Sequence, residues 1–497
     1  MSIADKLTLL INTKQDIKSA ISEKGVEVTG GMTTYADAIR RIETGGGGGG
    51  GDSIYVPVGL KFAYKSIYSR YYALNFTLPK LILAPGYDDG SYMFDGNESL
   101  VSINGIYSTG SPTLTDCRYM FQNCKSLTTV PQLDLSSATD CSYMFNGCKS
   151  LKSIPLLNTS SVTKMNGMFN GCKSLKSIPL LNTSSVTNMY EMFSGCSSLT
   201  TIPQLDTSNV TYTKSMFYGC SSLTNVPQLD TSNVVNTESM FYGCSSLTNV
   251  PQFNTSKVTN MYAMFAYCSS LKSIPLLNTS NVTNVGYLFR FCESLTTVPQ
   301  LDTSNVVNTE SMFYGCSSLT NVPQFNTSKV TNMSSMFEHC ERLASIPQLI
   351  TTNVKTMGYM LNGCWSLESI PQLDTSSVTA MSGLFRDCLK LKSLPLLDCS
   401  NVTITTEMFS TSGSAIEIPY PDLTDLGGFK NLKVSLSGLD GAPNLTVQSL
   451  MNVINNLYDF VGNGSTTTQT LKLGTTNLNK LTDEQKAVAT NKGWVLE

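Results

Sequence analysis

Charge is scarce in this chain. Of its 497 residues only 14% are Asp, Glu, Lys or Arg, the net charge is -3, and a single histidine occurs. A neutral surface rich in hydroxyls and amides carries no footprint for phosphate polymers or anionic lipid, so neither nucleic acid nor membrane is expected as a partner. No run approaches the ~18 apolar residues of a membrane span. The opening MSIADKLTLLINTKQDIK lacks the basic start and apolar core of an export signal, so the chain is expected to stay in the cytoplasm until something releases it.

The shortage of titratable side chains narrows the chemistry. Ser-His or Cys-His catalysis would depend on His339, which lies in FEHCE and is expected to be an exposed variant of a repeated slot. The acids fall mostly at one turn position, as at Asp206, Asp230 and Asp302, where turn formation explains them without catalysis. No CxxC occurs, which with one histidine excludes a zinc site. The stretch GYDDGSYMFDG offers oxygens to calcium but matches no known ligand spacing. No enzyme, metal or cofactor is expected.

What the chain has in abundance is repetition. MFYGCSSLTNVPQ occurs at Met216, Met240 and Met312, and Val226–Met261 is identical to Val298–Met333. Met-Phe or a near variant recurs every 24 residues from Met120 to Met408, with an earlier copy, Met93-Phe94, 27 residues before Met120. Twelve of the 15 cysteines, Cys124 through Cys388, keep the same interval; Cys117, Cys141 and Cys399 are extras. One thiol per repeat and an odd total point to buried reduced thiols rather than disulfides. The consensus is MFxxCxSLxx(I/V)PxL(D/N)TSxVTxMxx.

Periods in the twenties mark leucine-rich solenoids. The sequence therefore predicts an α/β repeat, a leucine-rich-repeat-like solenoid of about 13–14 coils with a small helical N-terminal anchor and an α/β C-terminal cap. Leu127, Val130 and Leu133 read as a short strand, with Pro131 and its equivalents at its end or beside it. Asn158, Asn182, Asp206 and Asp230 with the following Thr-Ser read as Asx turns, and xxMFxxC as a helical turn burying Met, Phe and Cys. Stacking at ~4.8 Å per coil would give a core roughly 60–65 Å long. The Asn-Thr-Ser sequons at Asn158, Asn182, Asn254, Asn278 and Asn326 are by-products of the turn sequence.

The boundaries follow from composition. Residues 1–44 carry helical spacing at Leu7, Leu10, Ile17 and Ile21, compatible with a trimeric coiled coil, and a second short pattern in TYADAIRRIE. Residues 45–51 are a polyglycine tether. Residues 52–90, rich in tyrosine, are expected to cap the start of the stack, and 91–420 to form the solenoid. Residues 421–497 should cap its end, with an amphipathic helix VQSLMNVINNLYDF opened by Thr446, a last strand-bearing coil in TLKLGTTNLNKL, and a Thr482–Gln485 capping box starting a helix that stops at Gly493.

The repeat MFxGCxSLxxIPxLDTSxVTxM resembles the BspA-type leucine-rich repeats of bacterial and phage surface proteins over about two thirds of the chain. KQDIKSAISEKGVEVTGG and TYADAIRRI, followed by polyglycine, resemble the virion-attachment segments of phage tail and fibre proteins. LTDEQKAVATNKGWVLE resembles the closing segment of phage-encoded repeat proteins. The absence of export, sorting and anchor motifs departs from the cell-wall members of that family. The resemblance implies a phage virion fibre, tail or head appendage that presents the solenoid to a host surface glycan or protein. Residues 1–44 would dock on other virion proteins, and the particle would leave its host by lysis. A bacterial surface adhesin of the same repeat family is the alternative, and a virion decoration without a receptor a further one.

Aromatic residues occupy variable slots beside Met-Phe. Tyr119, Tyr143, Tyr218, Tyr242, Tyr287, Tyr314 and Tyr359, with Trp365 after a cysteine, are the candidate surface-binding residues. Exposed rings stack on sugars; alternatively these tyrosines cover the edges of the Met-Phe ladder. Arg290 and Arg386, rare charges in the slot after Phe, are expected to be solvated.

Overall fold

The computed structural model describes residues 53–56, 76–78, 80–83, 86–108, 114–410 and 422–497. The expected anchor, with Leu7, Leu10, Ile17 and Ile21, and the polyglycine tether lie outside the described residues. Within them the chain winds into a stack of coils. A ladder of parallel bridges joins Asp89 to Asp116, Asp116 to Asp140, and so on at 24-residue steps to Ile404. The 27-residue first step is the insertion visible in the sequence.

The core consists of columns, because equal positions in successive coils lie one above the next. Phe94, Phe121, Phe145 and their successors through Phe337 stack with centroids 5.0–5.9 Å apart. All 15 cysteines are buried and unpaired. Each thiol of the regular column donates to the carbonyl of a preceding coil, as Cys148 Sγ does to Phe121 O at 3.0 Å and Cys220 Sγ to Phe193 O at 3.1 Å. No single coil could bury these side chains, so each depends on its neighbours.

Two local expectations are corrected. The Met-Phe segment is not helical. Met144, Asn146 and Cys148 donate to residues three back, while Tyr143, Phe145 and Gly147 between them donate to the next coil, at Asn166, Met168 and Asn170. Tyr143 and Gly147 have φ of 57° and 75°, so the segment is a run of tight turns with left-handed third residues. A helix would leave no N–H free for the neighbouring coil. The Leu127–Leu133 segment, in turn, is not a strand in the central coils. A proline at the same height in every coil removes one donor from every rung. Strands form at the two ends of the stack.

At the start, β1 (Ser53–Val56), β3 (Lys80–Leu83) and β5 (Ile106–Ser108) make a parallel sheet, and β2 (Phe76–Leu78) pairs with β4 (Leu100–Ile103). In the Leu100 coil Asn104 stands where later coils have proline. At the far end β6 (Ser393–Leu394) and β7 (Leu397–Asp398) flank Pro395 and pair with β8 (Asp425–Leu426) and β9 (Phe429–Lys430).

The C-terminal cap is α/β. Helix α1 (Val447–Asn456) is opened by Thr446, whose hydroxyl accepts from Ser449 N, and ends four residues before the expected limit. Leu457 there leaves the helix to bridge Leu432. Strand β10 (Gln469–Leu471) pairs with β11 (Trp494–Leu496) and bridges Leu436, forming the expected last coil with α2 (Gly474–Leu478). Helix α3 (Asp483–Asn491) has the Thr482–Gln485 capping box, and Gly493 follows it with φ 87°. Trp494, buried, donates its indole N–H to Tyr458 O at 2.9 Å, and Lys492 Nζ reaches the carbonyls of Ile454, Asn455 and Leu457 at the end of α1. The cap hides the last coil's apolar face and its open edge.

Candidate binding surface

The tight turns put three side-chain positions of each coil along one edge of the stack. One lies before Met, with positive φ; the other two lie after Phe, the second of them again with positive φ and mostly glycine. Each aromatic candidate occupies one of these, Trp365 excepted. Tyr119 stacks between Tyr92 and Tyr143, centroids 4.7 and 5.2 Å away and planes within 17°. Tyr218 and Tyr242 stack at 4.6 Å and 6°. Rings stacked along the solenoid axis cover each other's faces and present only edges and hydroxyls outward. They cover the turn edges, and each ring gives at least one face to its neighbour.

Beyond Tyr242 the stacking breaks. Tyr267 is tilted 47° to Tyr242, Phe291 33° to Tyr267, and Tyr314 stands edge-on to Phe291 at 65°. His339 meets Tyr314 edge-on at 5.7 Å, and Tyr287 is tilted against Tyr262. Tyr267, Phe291 and His339 hold φ of 62°, 55° and 57° in a slot where most coils have glycine. Bulky residues in that region cost about 1–2 kcal/mol each. Left-handed non-glycine residues recur along the whole stack, as at Tyr119, Ser215 and Ser335, so this backbone belongs to the turn itself.

Arg290 anchors this irregular stretch. Its guanidinium lies 3.9 Å from the ring centroid of Tyr314 and 5.1 Å from those of Tyr287 and Phe291. Its Nη1 donates to Ser311 Oγ, and among the described residues no carboxylate pairs with it. The expectation of a freely solvated arginine is corrected: the rings fix it. Arg386 is likewise not free, since it pairs with Glu407 and Asp387.

The hydroxyls around Arg290 are held protonated. Burial pushes Tyr242 up to about 12, and burial also raises Tyr314 and Tyr287, the latter helped by its hydrogen bond to Glu310 Oε1 at 3.0 Å. The cluster thus offers neutral O–H groups, tilted rings and one oriented cation.

The remaining candidates stand apart. Tyr359 lies over Gly383, whose Cβ would meet the ring at 2.4 Å. Trp365 is 45% exposed with no ring beside it among the described residues. His339 is half-buried rather than exposed, its ring over Gly363. Asp206 and Asp230 accept from Ser208 N and Ser232 N as Asx turns, and Asp89 does the same for Ser91 N within GYDDGSYMFDG. Among the described residues no group of three or more His, Cys, Asp or Glu is placed to hold a metal ion.

Sequence reasoning missed Tyr92, Tyr262, Tyr267, Phe291 and the role of Arg290. A signal existed for two of them. Tyr267 and Phe291 replace the glycine of MFxGC in consecutive repeats.

The family described as "Mycoplasma protein of unknown function, DUF285" matches residues 89–154, 115–226, 139–249, 222–324, 246–346 and 317–417, which together cover about two thirds of the chain. The chain belongs to this family. No curated protein sequence matches it. Among solved structures, the chain is similar to a leucine-rich repeat protein from Bacteroides ovatus, at 21% identity over 66% of this chain and 83% of that chain, with a TM-score of 0.42. It is similar too to a leucine rich cell surface protein from Faecalibacterium prausnitzii, at 18% over 73% and 83%, TM-score 0.31. A leucine-rich repeat protein from Eubacterium ventriosum gives 18% over 68% and 84%, TM-score 0.29. Nothing about ligand or partner follows from likeness at this level.

Proposed function

We propose that this DUF285 chain is a non-enzymatic adhesion module whose solenoid holds the cluster around Arg290 outward to contact a host surface glycan or protein. The observation that carries the reading is Arg290 itself, clamped across Tyr314 with no carboxylate partner among the described residues. An unpaired guanidinium on an aromatic platform is a preorganised recognition element.

The carrier we propose is a phage virion, with residues 1–44 docking on other virion proteins and several arms per particle, whose joint contacts raise the avidity. Support for this part is the resemblance of residues 1–44 and the polyglycine that follows. A bacterial surface adhesin is the second reading, favoured by membership of a family described from Mycoplasma that covers only the solenoid.

The test uses labelled full-length chain, presented as a multimer, on candidate host cells. Saturable binding that falls in Arg290→Ala and Tyr314→Ala supports adhesion through this cluster. Equal binding by wild type and both variants would sink it. Peptides of this chain in purified virions would separate the phage carrier from the bacterial one.

A further inference from the structure

A second surface, built from the PQ(L/F)(D/N)TS segments, forms an open groove of about 1120 Å³ spanning the coils from Gln204 to Asp302. A smaller one of about 510 Å³ continues it from Gln300 to Ile350. Its floor is apolar, with Leu229, Phe253 and Leu277 nearly closed to solvent, and Leu276, 58% exposed, projects beside it.

The polar lining is acceptor-rich. Gln204 and Gln228 use their amide N–H groups on the carbonyls of the next coil, at 2.6 Å each, which leaves their amide oxygens as acceptors. Asp206, Asp230 and Asp302 add carboxylates, held ionised by the hydroxyls and N–H groups of Ser208, Ser232 and Ser304. No lysine or arginine lines the groove, and none pairs with these three acids among the described residues.

Two buried hydroxyls in the lining are also unpartnered. In this column Thr159, Thr183, Thr231, Thr255 and others donate to a carbonyl of the next coil at 2.7–2.9 Å. Thr207 Oγ1 and Thr279 Oγ1, equally buried, have no partner. Both oxygens are closed to solvent, so the gap lies in the ladder between coils and not on the open face of the groove.

We propose that this groove binds a linear oligosaccharide bearing free amino groups. Sugar hydroxyls and ammonium groups supply donors to the glutamine oxygens and to the carboxylates, whose Oδ1 atoms already accept from serine, and the C–H face of each ring packs on the Leu-Phe floor. One coil advances by about 4.8 Å, comparable to one sugar unit, so successive units meet successive coils. An added peptide strand is disfavoured, because the groove's carbonyls already accept from glutamine. The inference rests on the adhesion reading but names a different face from the Arg290 cluster.

The test measures binding of the full chain to immobilised linear oligosaccharides of one length in free-amine, N-acetylated and uronate forms. The free-amine form should bind most tightly, weaken with salt, and the uronate form should not bind. The triple variant Asp206→Asn, Asp230→Asn, Asp302→Asn keeps every turn, since Asn254, Asn278 and Asn326 fill the same slot in other coils. It should bind the free-amine form at least tenfold more weakly at an unchanged melting temperature, and Leu276→Arg should do the same. Wild-type binding by the triple variant, equal binding of amine and uronate forms, or tighter binding of a basic peptide overturns the proposal. Loss in Arg290→Ala with the triple variant intact overturns it too, while leaving adhesion through the aromatic cluster standing. Failure of the adhesion reading shows separately, as cell binding that neither set of variants changes.

Discussion

The ring of Tyr143 lies across Gly167 of the next coil, so close that a Cβ on that glycine would sit 2.2 Å from the ring. Gly167 also holds φ of 60°, and Tyr359 covers Gly383 in the same way. Part of the aromatic surface is therefore cover for bare backbone.

Gly167→Ala should destabilise the neighbouring coils by more than the ~1 kcal/mol expected for a left-handed backbone alone. Gly464→Ala is the control, since Gly464 has φ of 73° and nothing within 4 Å of its Cβ. Hydrogen exchange at the Tyr143 and Gly167 coils checks this. Equal effects of the two substitutions would remove the ring contact from the account.

The phenylalanine column should show graded sensitivity. Phe217 is fully buried between Phe193 and Phe241, so Phe217→Ala should cost about 3–5 kcal/mol. Phe217→Leu should cost less, because Leu361 already fills the same slot in another coil. Denaturant unfolding with local exchange measures both, since a long repeat array need not unfold in one step.

Stability should fall in alkali. Burial raises the thiols above their ordinary 9.0, Cys196 and Cys399 to about 12 and their neighbours in the same direction. The folded state therefore holds these protons more tightly than the unfolded chain does. The contribution is fully present below pH 9 and is lost as pH rises from 9 towards 12, at up to about 1.4 kcal/mol per pH unit for each thiol. Melting temperatures from pH 7 to 11 test it, and thiol reagents at pH 8 should label the chain only after unfolding.

Binding should separate the aromatic groups. Tyr119→Ala, within a closed stack, should leave cell binding within about twofold, whereas Tyr314→Ala and Arg290→Ala should lower it about tenfold, near 1.4 kcal/mol. Arg290→Lys should not rescue it, because an ammonium cannot lie flat across three rings. Full binding by Arg290→Lys would show that charge alone matters.

Thr482→Ala should weaken the C-terminal cap by about 1 kcal/mol by removing the acceptor for Gln485 N. Size-exclusion chromatography would then reveal self-association if the opened edge of the last coil becomes available.

The sequence by itself determined the stack. The 24-residue period, the buried Met, Phe and Cys columns, the Asx turns and the caps at Thr446 and Thr482 all follow from local patterns, because each coil repeats the same few interactions with its neighbours. The tertiary structure alone decided the backbone path and the surface. Met144 and Asn146 donate within the coil while Tyr143 and Phe145 donate to the next, and that alternation exists only once coils are stacked. The same stacking sandwiches Tyr119 between Tyr92 and Tyr143 and tilts the rings around Arg290. The difference lies in the tilt of rings from separate coils, which spacing along the chain does not encode.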